Sequence, residues 1–256
     1  LIMIIDTHAH YDDEQFDIDR EEILNSMQDG GIELVVNVGA DMKTSEQTLK
    51  LTEQFPFVYG AVGVHPSSTM ELDETKIERL KELANMPKIV AIGEIGLDYY
   101  WDEPDRDTQK KWFDRQMELA REVKLPIIIH SRDAAKDTLD MMKAAHAGDI
   151  SGVIHCYSYS VEMAKEYLNM GFYLGIGGVV TFKNARIIKE VVEYVPIDSI
   201  VLETDCPYLA PEPNRGKRNS SLYLPKVVEE IAKIKGLEPD EVIEITKRNA
   251  TKLYRL

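Results

Sequence analysis

With 256 residues, 44% of them hydrophobic and 29% charged, the chain can bury a large core, and it has no low-complexity or charge-dense stretch of the kind that stays disordered. Its 30 basic and 45 acidic side chains leave a formal charge of -15, which excludes binding driven by a broad basic surface, whether to duplex DNA or to anionic lipid. Cys156 and Cys206 form no CxxC pair and no apolar run reaches membrane-spanning length, so a disulfide framework, a cysteine zinc site and a membrane span are excluded and a cytoplasmic location is expected.

Met3 reads as the natural start, with Leu1 and Ile2 ahead of it. From there strand-like apolar runs alternate with amphipathic helical patterns. A strand over 3–8 leads to a helix over 20–28, and strands over 32–39, 58–64 and 88–94 lead to helices over 45–54, 75–84 and 106–123. Strands over 126–130, 152–156 and 172–177 are followed by helices over 134–145, 161–170 and 185–194, and the last strand, 199–205, by helices over 222–234 and 239–254. Gly30-Gly31, Met86-Pro87 and Leu125-Pro126 mark turns. Parallel strands this rich in Val, Ile and Leu need cover on both faces. The expected fold is therefore α/β, a single (β/α)8 TIM-type barrel forming one domain over residues 1–256. A doubly wound open sheet is the alternative.

The ends of these runs carry the chemistry. His8 and His10 close the first strand, Glu94 the fourth, His130 the fifth, His155 the sixth and Asp205 the eighth. Side chains two apart on a strand share a face, so His8 and His10 can grip one ion. A lone histidine after an apolar run is usually a hydrogen-bonded core residue, but here four of the six histidines occupy the same setting. Six N and O ligands exceed one tetrahedral site and point to two divalent ions sharing a carboxylate. Four imidazoles favour Zn, Mn, Fe or Ni over Mg. The barrel is preferred to the open sheet because it gathers all these strand ends at one mouth.

The chain resembles the TatD family of metal-dependent hydrolases over its full length. The resemblance rests on Asp6-Thr7-His8-Ala9-His10, Gly63-Val64-His65-Pro66, Gly93 to Asp98, Pro126 to Arg132, His155-Cys156-Tyr157-Ser158, Glu203 to Leu209 and Arg215-Gly216-Lys217-Arg218-Asn219, met in this order. It implies an amidohydrolase-like barrel with a divalent-metal centre, Mg included among its ions, and deoxyribonuclease activity that trims DNA from the 3′ end. The residues matching His8, His10, Glu94, His130, His155 and Asp205 then bind metal, with Glu94 as the bridge. Ser67, Tyr159 and Ser221 depart from the residues usual in the family, and their expected place in mouth loops ties them to substrate preference.

On this reading Asp205 is ligand and general base together, and Glu94 is catalytic as the bridge. Glu203, two residues before Asp205, orients a ligand histidine. His65, Arg132, Arg215, Arg218 and Asn219 are the expected substrate contacts, and Tyr99, Tyr100, Trp101 and Tyr157 are placed to stack on bases. The acidic total then favours single-stranded or frayed DNA ends, held locally, over long duplexes. A monomer or small homo-oligomer is expected. The competing reading is an amidohydrolase-type enzyme acting on a small amide, lactone or phosphotriester. Many such barrels bridge their metals with a carboxylated lysine, whereas here Glu94 holds that strand.

Overall fold

The computed structural model describes residues 2–256, so Leu1 lies outside the described residues. Eight strands form one sheet in the order of the chain: β1 (Ile4–Ala9), β2 (Ile32–Val38), β3 (Val58–Val62), β4 (Ile89–Asp98), β5 (Ile127–Arg132), β6 (Gly152–Ile154), β7 (Tyr173–Ile176) and β8 (Ile200–Leu202). The pairs β1 with β2, β3 with β4, β4 with β5, β5 with β6 and β7 with β8 are all parallel. First and last strands also meet. Thr7 Oγ1 donates to the Leu202 carbonyl at 2.7 Å, and Asp205 N donates to the His8 carbonyl at 2.8 Å. The sheet is thus the closed parallel type expected from the sequence.

Helices follow each strand: α1 (Arg20–Asn25), α2 (Met42–Gln54), α3 (Glu74–Ala84), α4 (Arg106–Val123), α5 (Ala135–Ala144), α6 (Val161–Asn169), α7 (Arg186–Tyr194), α8 (Leu224–Lys235) and α9 (Pro239–Tyr254). Their starts are written locally. Asp41, Asp73 and Asp105 each accept the backbone N–H of the third residue of α2, α3 and α4. Every residue of β1 and β4 is buried, as strands covered on both faces require.

Packing divides the chain into two units. One comprises the segment ending at Asn37 with Cys156–Lys165 and Tyr173–Leu256, and so holds β1, nearly all of β2, β7 and β8. The other comprises Val38–His155 and Glu166–Phe172, and holds β3 to β6.

Several strand ends differ from the sequence pattern, those of β8, β6 and β4 among them. β8 stops at Leu202 rather than Asp205, because Asp205 takes a left-handed backbone (φ 56°) and Thr204 turns its N–H and hydroxyl to the Asp6 carboxylate instead of a ladder. β6 likewise stops at Ile154, with Cys156 left-handed at φ 46°. β4 runs four residues past Glu94. After a register shift between Ile92 and Ile95, Gly96 pairs with His130 and Asp98 with Arg132.

That extension depends on Gly96. Its φ is 148°, and a Cβ there would stand 1.8 Å from the His130 carbonyl oxygen. Neither strain nor overlap can be relieved without moving β5, so Gly96→Ala is expected to cost about 2–4 kcal/mol. A denaturant titration checks this: the midpoint should drop at unchanged slope. A variant as stable as the parent would show that β5 yields freely.

Candidate metal centre

In the first unit, β1 and the loop after β8 bring three candidate ligands together. His8 Nε2 lies 3.2 Å from His10 Nε2 and 3.5 Å from Asp205 Oδ1, and His10 Nε2 lies 3.0 Å from the same oxygen. Ligands at about 2.0–2.2 Å around a tetrahedral ion stand about 3.3–3.6 Å apart, so this triangle has the dimensions of one face of such a site. Its chemistry fits as well, with two imidazoles and a carboxylate aimed at one point. Asp205 keeps 18% of its side chain exposed, enough for water to reach it, whereas His8 is sealed at 1%.

A buried carboxylate fixes this corner. Asp6 accepts the backbone N–H of His8 and of Thr204, both at 3.1 Å, the Thr204 hydroxyl at 2.7 Å and the Ser221 hydroxyl at 2.6 Å. Burial pushes its pKa up to about 6 despite these four donors. Tyr11 completes the group, its hydroxyl meeting Ser221 Oγ at 2.7 Å and accepting Ser221 N–H at 2.9 Å. Ser221 is fully buried, which corrects its expected place in a mouth loop: the residue that departs from the family pattern here is part of the support beneath the ligands, in a role that a proline could not fill.

In the second unit one carboxylate oxygen faces three imidazoles. Glu94 Oε2 lies 2.8 Å from His130 Nδ1, and 3.7 Å from both His65 Nε2 and His155 Nε2. His130 also reaches Asp98, with Nε2 2.9 Å from Oδ2. Burial pulls the His130 pKa down, but hydrogen bonds to Asp98 and Glu94 outweigh it and leave it raised. For Asp98, burial works upward and the His130 contact prevails, leaving its pKa lowered. His65, Asp98 and His130 themselves present ligand atoms within 4.8 Å of one another.

Asp98 escaped the sequence reading, which ended the strand at Glu94. The signal was present: Glu94, Gly96 and Asp98 repeat at the two-residue strand period. Two buried glutamines of α4, seven residues apart, were also missed. Gln109 Oε1 accepts Asp98 N–H at 2.8 Å while its Nε2 donates to the Asp98 carbonyl, and Gln116 does the same for Val64, just before His65. Glutamines on the apolar face of an amphipathic helix were their only mark.

The other expected site residues fall in different settings. His65 caps the 3-10 turn Pro66–Glu71 by accepting Ser67 N–H at Nδ1, 3.0 Å away. A neutral His65 therefore carries its proton on Nε2, as a donor rather than a ligand. Glu203 Oε1 accepts Cys156 N–H at 2.6 Å, which holds the backbone directly after His155. Gly175 leaves the room it needs, since a Cβ there would stand 2.2 Å from Glu203 Oε2. Arg218 is tied to Asp19 by two bonds of 2.8 and 2.6 Å and to the Gln15 carbonyl, and Asn219 is buried with its amide donating to Thr204 and Tyr208 carbonyls. These two brace loops around Asp205. Arg215 lies with its guanidinium carbon 3.8 Å from the Phe182 ring centre, and Arg132 lies equally close over Tyr100.

Comparison with known proteins identifies the family. The sequence model of a family described as "TatD related DNase" matches residues 5–255. A Bacillus subtilis protein called uncharacterized metal-dependent hydrolase YabD is 44% identical over 99% of this chain and all of its own length. A Rahnella protein named 3′-5′ ssDNA/RNA exonuclease TatD is 32% identical over 94% of each chain. Among solved structures, the Escherichia coli TatD homologue YJJV superposes with a TM-score of 0.93 at 28% identity, over 99% of this chain and 98% of that one. With the barrel and the clustered imidazoles and carboxylates, these matches establish that the chain belongs to the TatD family and is a metal-dependent hydrolase of ester bonds.

Proposed function

We propose that this hydrolase cleaves phosphodiesters, trimming single-stranded or frayed DNA from the 3′ end, and that His8, His10, Glu94, His130, His155 and Asp205 together hold two divalent ions. The observation that carries the reading is Glu94 Oε2 set beside His130 Nδ1 and His155 Nε2, a carboxylate and two imidazoles of the kind that would hold a divalent ion. His8, His10 and Asp205 supply the other set. Two ions so held supply charge for a phosphoryl group and lower the pKa of water.

The chain's own residues do the rest. Asp205 takes the proton of the attacking water, which its position beside two imidazoles and its access to solvent permit. His65 Nε2–H donates to a phosphate oxygen while Ser67 holds its other nitrogen. Glu203 and Asp6 are positioning residues, one for the backbone beyond His155 and the other for His8 and Thr204. The protein acts as one domain, a monomer or small homo-oligomer of the cytoplasm. Among the described residues no helix is long and apolar enough to cross a membrane.

The test uses purified protein loaded in turn with Zn, Mn, Mg, Fe and Ni, given single-stranded DNA labelled at the 3′ or the 5′ end beside a panel of neutral esters and lactones. Release of 3′-terminal nucleotides, with 5′-labelled strands shortening stepwise, is expected. Turnover of a neutral ester or lactone with no strand cleaved would replace this proposal by the small-molecule reading.

A further inference from the structure

The aromatic side chains beyond the strand ends fall into two classes. Tyr99 and Tyr157 serve the fold: Tyr99 donates to Asp137 at 2.6 Å under the Arg106 guanidinium, and Tyr157 is buried with its hydroxyl on the Ser160 carbonyl. Tyr100 and Trp101 serve no such end. They are 53% and 59% exposed, and their rings meet edge to face at 4.7 Å. Two large rings side by side in water are unusual on a monomer surface and mark a binding site.

Their position and their neighbour say what would bind. Tyr100 N–H donates to Asp98 Oδ1 at 3.1 Å, so the pair is anchored to the carboxylate that holds His130. Arg132 ends β5 two residues after His130, and its guanidinium carbon sits 3.8 Å from the Tyr100 ring centre. Arg218 and Arg186 are held by Asp19 and Glu190, but among the described residues Arg132 has no carboxylate partner. Stacking on Tyr100 orients its fork without consuming the donors, in a chain whose net charge is -15. A planar apolar face and an unpaired guanidinium, one side chain apart, match a heterocyclic base and the phosphate joined to it. Duplex ends that stay paired cannot offer that base.

We propose that Trp101, Tyr100 and Arg132 form a nucleotide subsite: Trp101 stacks on an unpaired base of the strand, and Arg132, steadied by Tyr100, grips the adjoining phosphate. This rests on the phosphodiesterase reading and adds to it a preference for strands that carry bases. It also assigns the base-dependent part of affinity to one tryptophan.

The test titrates metal-loaded protein with two single strands of equal phosphate count and phosphorothioate linkage, oligothymidylate and an abasic analogue, following tryptophan emission in the parent and the anisotropy of a dye on the strand in parent and variants alike. Trp101 is exposed while Trp112 is buried, so quenching reports the subsite. Oligothymidylate is expected to quench the emission and to bind about tenfold or more tightly than the abasic strand. Trp101→Ala brings the two affinities together at an unchanged salt slope, and Arg132→Gln lowers the salt slope for both strands while the preference for bases persists. Equal affinities in the parent, or a preference surviving Trp101→Ala, overturns the subsite. If base-free and base-bearing strands are bound alike, the subsite alone falls; if no strand is bound and an unmodified strand is not cut, the phosphodiesterase reading falls with it.

Discussion

Asp205→Asn leaves the protein folded and lowers phosphodiester turnover by about 10²–10⁴-fold, the usual consequence of removing a positioned general base. The amide retains an oxygen that can face His8 and His10, now 3.5 and 3.0 Å from Oδ1, so part of the metal is kept. It cannot accept a proton at neutral pH. Turnover therefore falls much further than occupancy, and the decisive measurement sets metal per chain beside kcat in the same preparation. Residual activity that merely tracks residual metal makes Asp205 a ligand and nothing more.

Glu94→Gln is expected to act on binding first. The variant replaces the carboxylate that faces His65, His130 and His155 by a neutral amide, and the ions proposed to share it would lose its charge. Loss of outer partners of metal ligands costs about 10–100-fold in affinity, and a direct ligand costs more, so at least one ion is released at micromolar metal. The ion-free protein offers a second readout. With the Glu94 charge gone and Asp98 retained, His130 is expected to titrate at lower pH than in the parent, which an imidazole proton resonance reports. Two ions per chain and parental turnover in the variant would remove Glu94 from the centre.

Much of the barrel was legible because period and punctuation agree along the chain. α4 and α9 occupy the spans their patterns predict, where an aspartate cap or a proline at the first turn sets the boundary. Boundaries drifted where side chains took over backbone partners. Thr204, bound to Asp6, ends β8 early, and the shifted register beyond Ile92 carries β4 to Asp98. The candidate ligands were picked out by the same signal as the fold, since strand ends are marked by the end of an apolar run. Roles set by a distant partner were not. Arg218 reads as a loop cation until Asp19, 199 residues away, is seen to hold it, and Ser221 reads as a loop hydroxyl until Asp6 is found beneath it. The buried glutamines of α4 carry no local sign that their partners are Asp98 and Val64.

The knot of contacts around Asp6 bears on when the protein acquires its activity. Asp6 lies near the start of the chain, while Thr204 and Ser221 are 198 and 215 residues further on. Synthesis runs from the amino end, so His10 is made 195 residues ahead of Asp205, and the hydroxyls that complete the corner come at the same remove or later. A ribosome-bound fragment stopped before Ser221 lacks the peg that pins first strand to last. A fragment stopped before Asp205 has nothing with which to form the His8, His10 and Asp205 triangle, and one stopped before Ser221 can form it only without the hydroxyl that holds Asp6, so a half-made chain carries no finished corner.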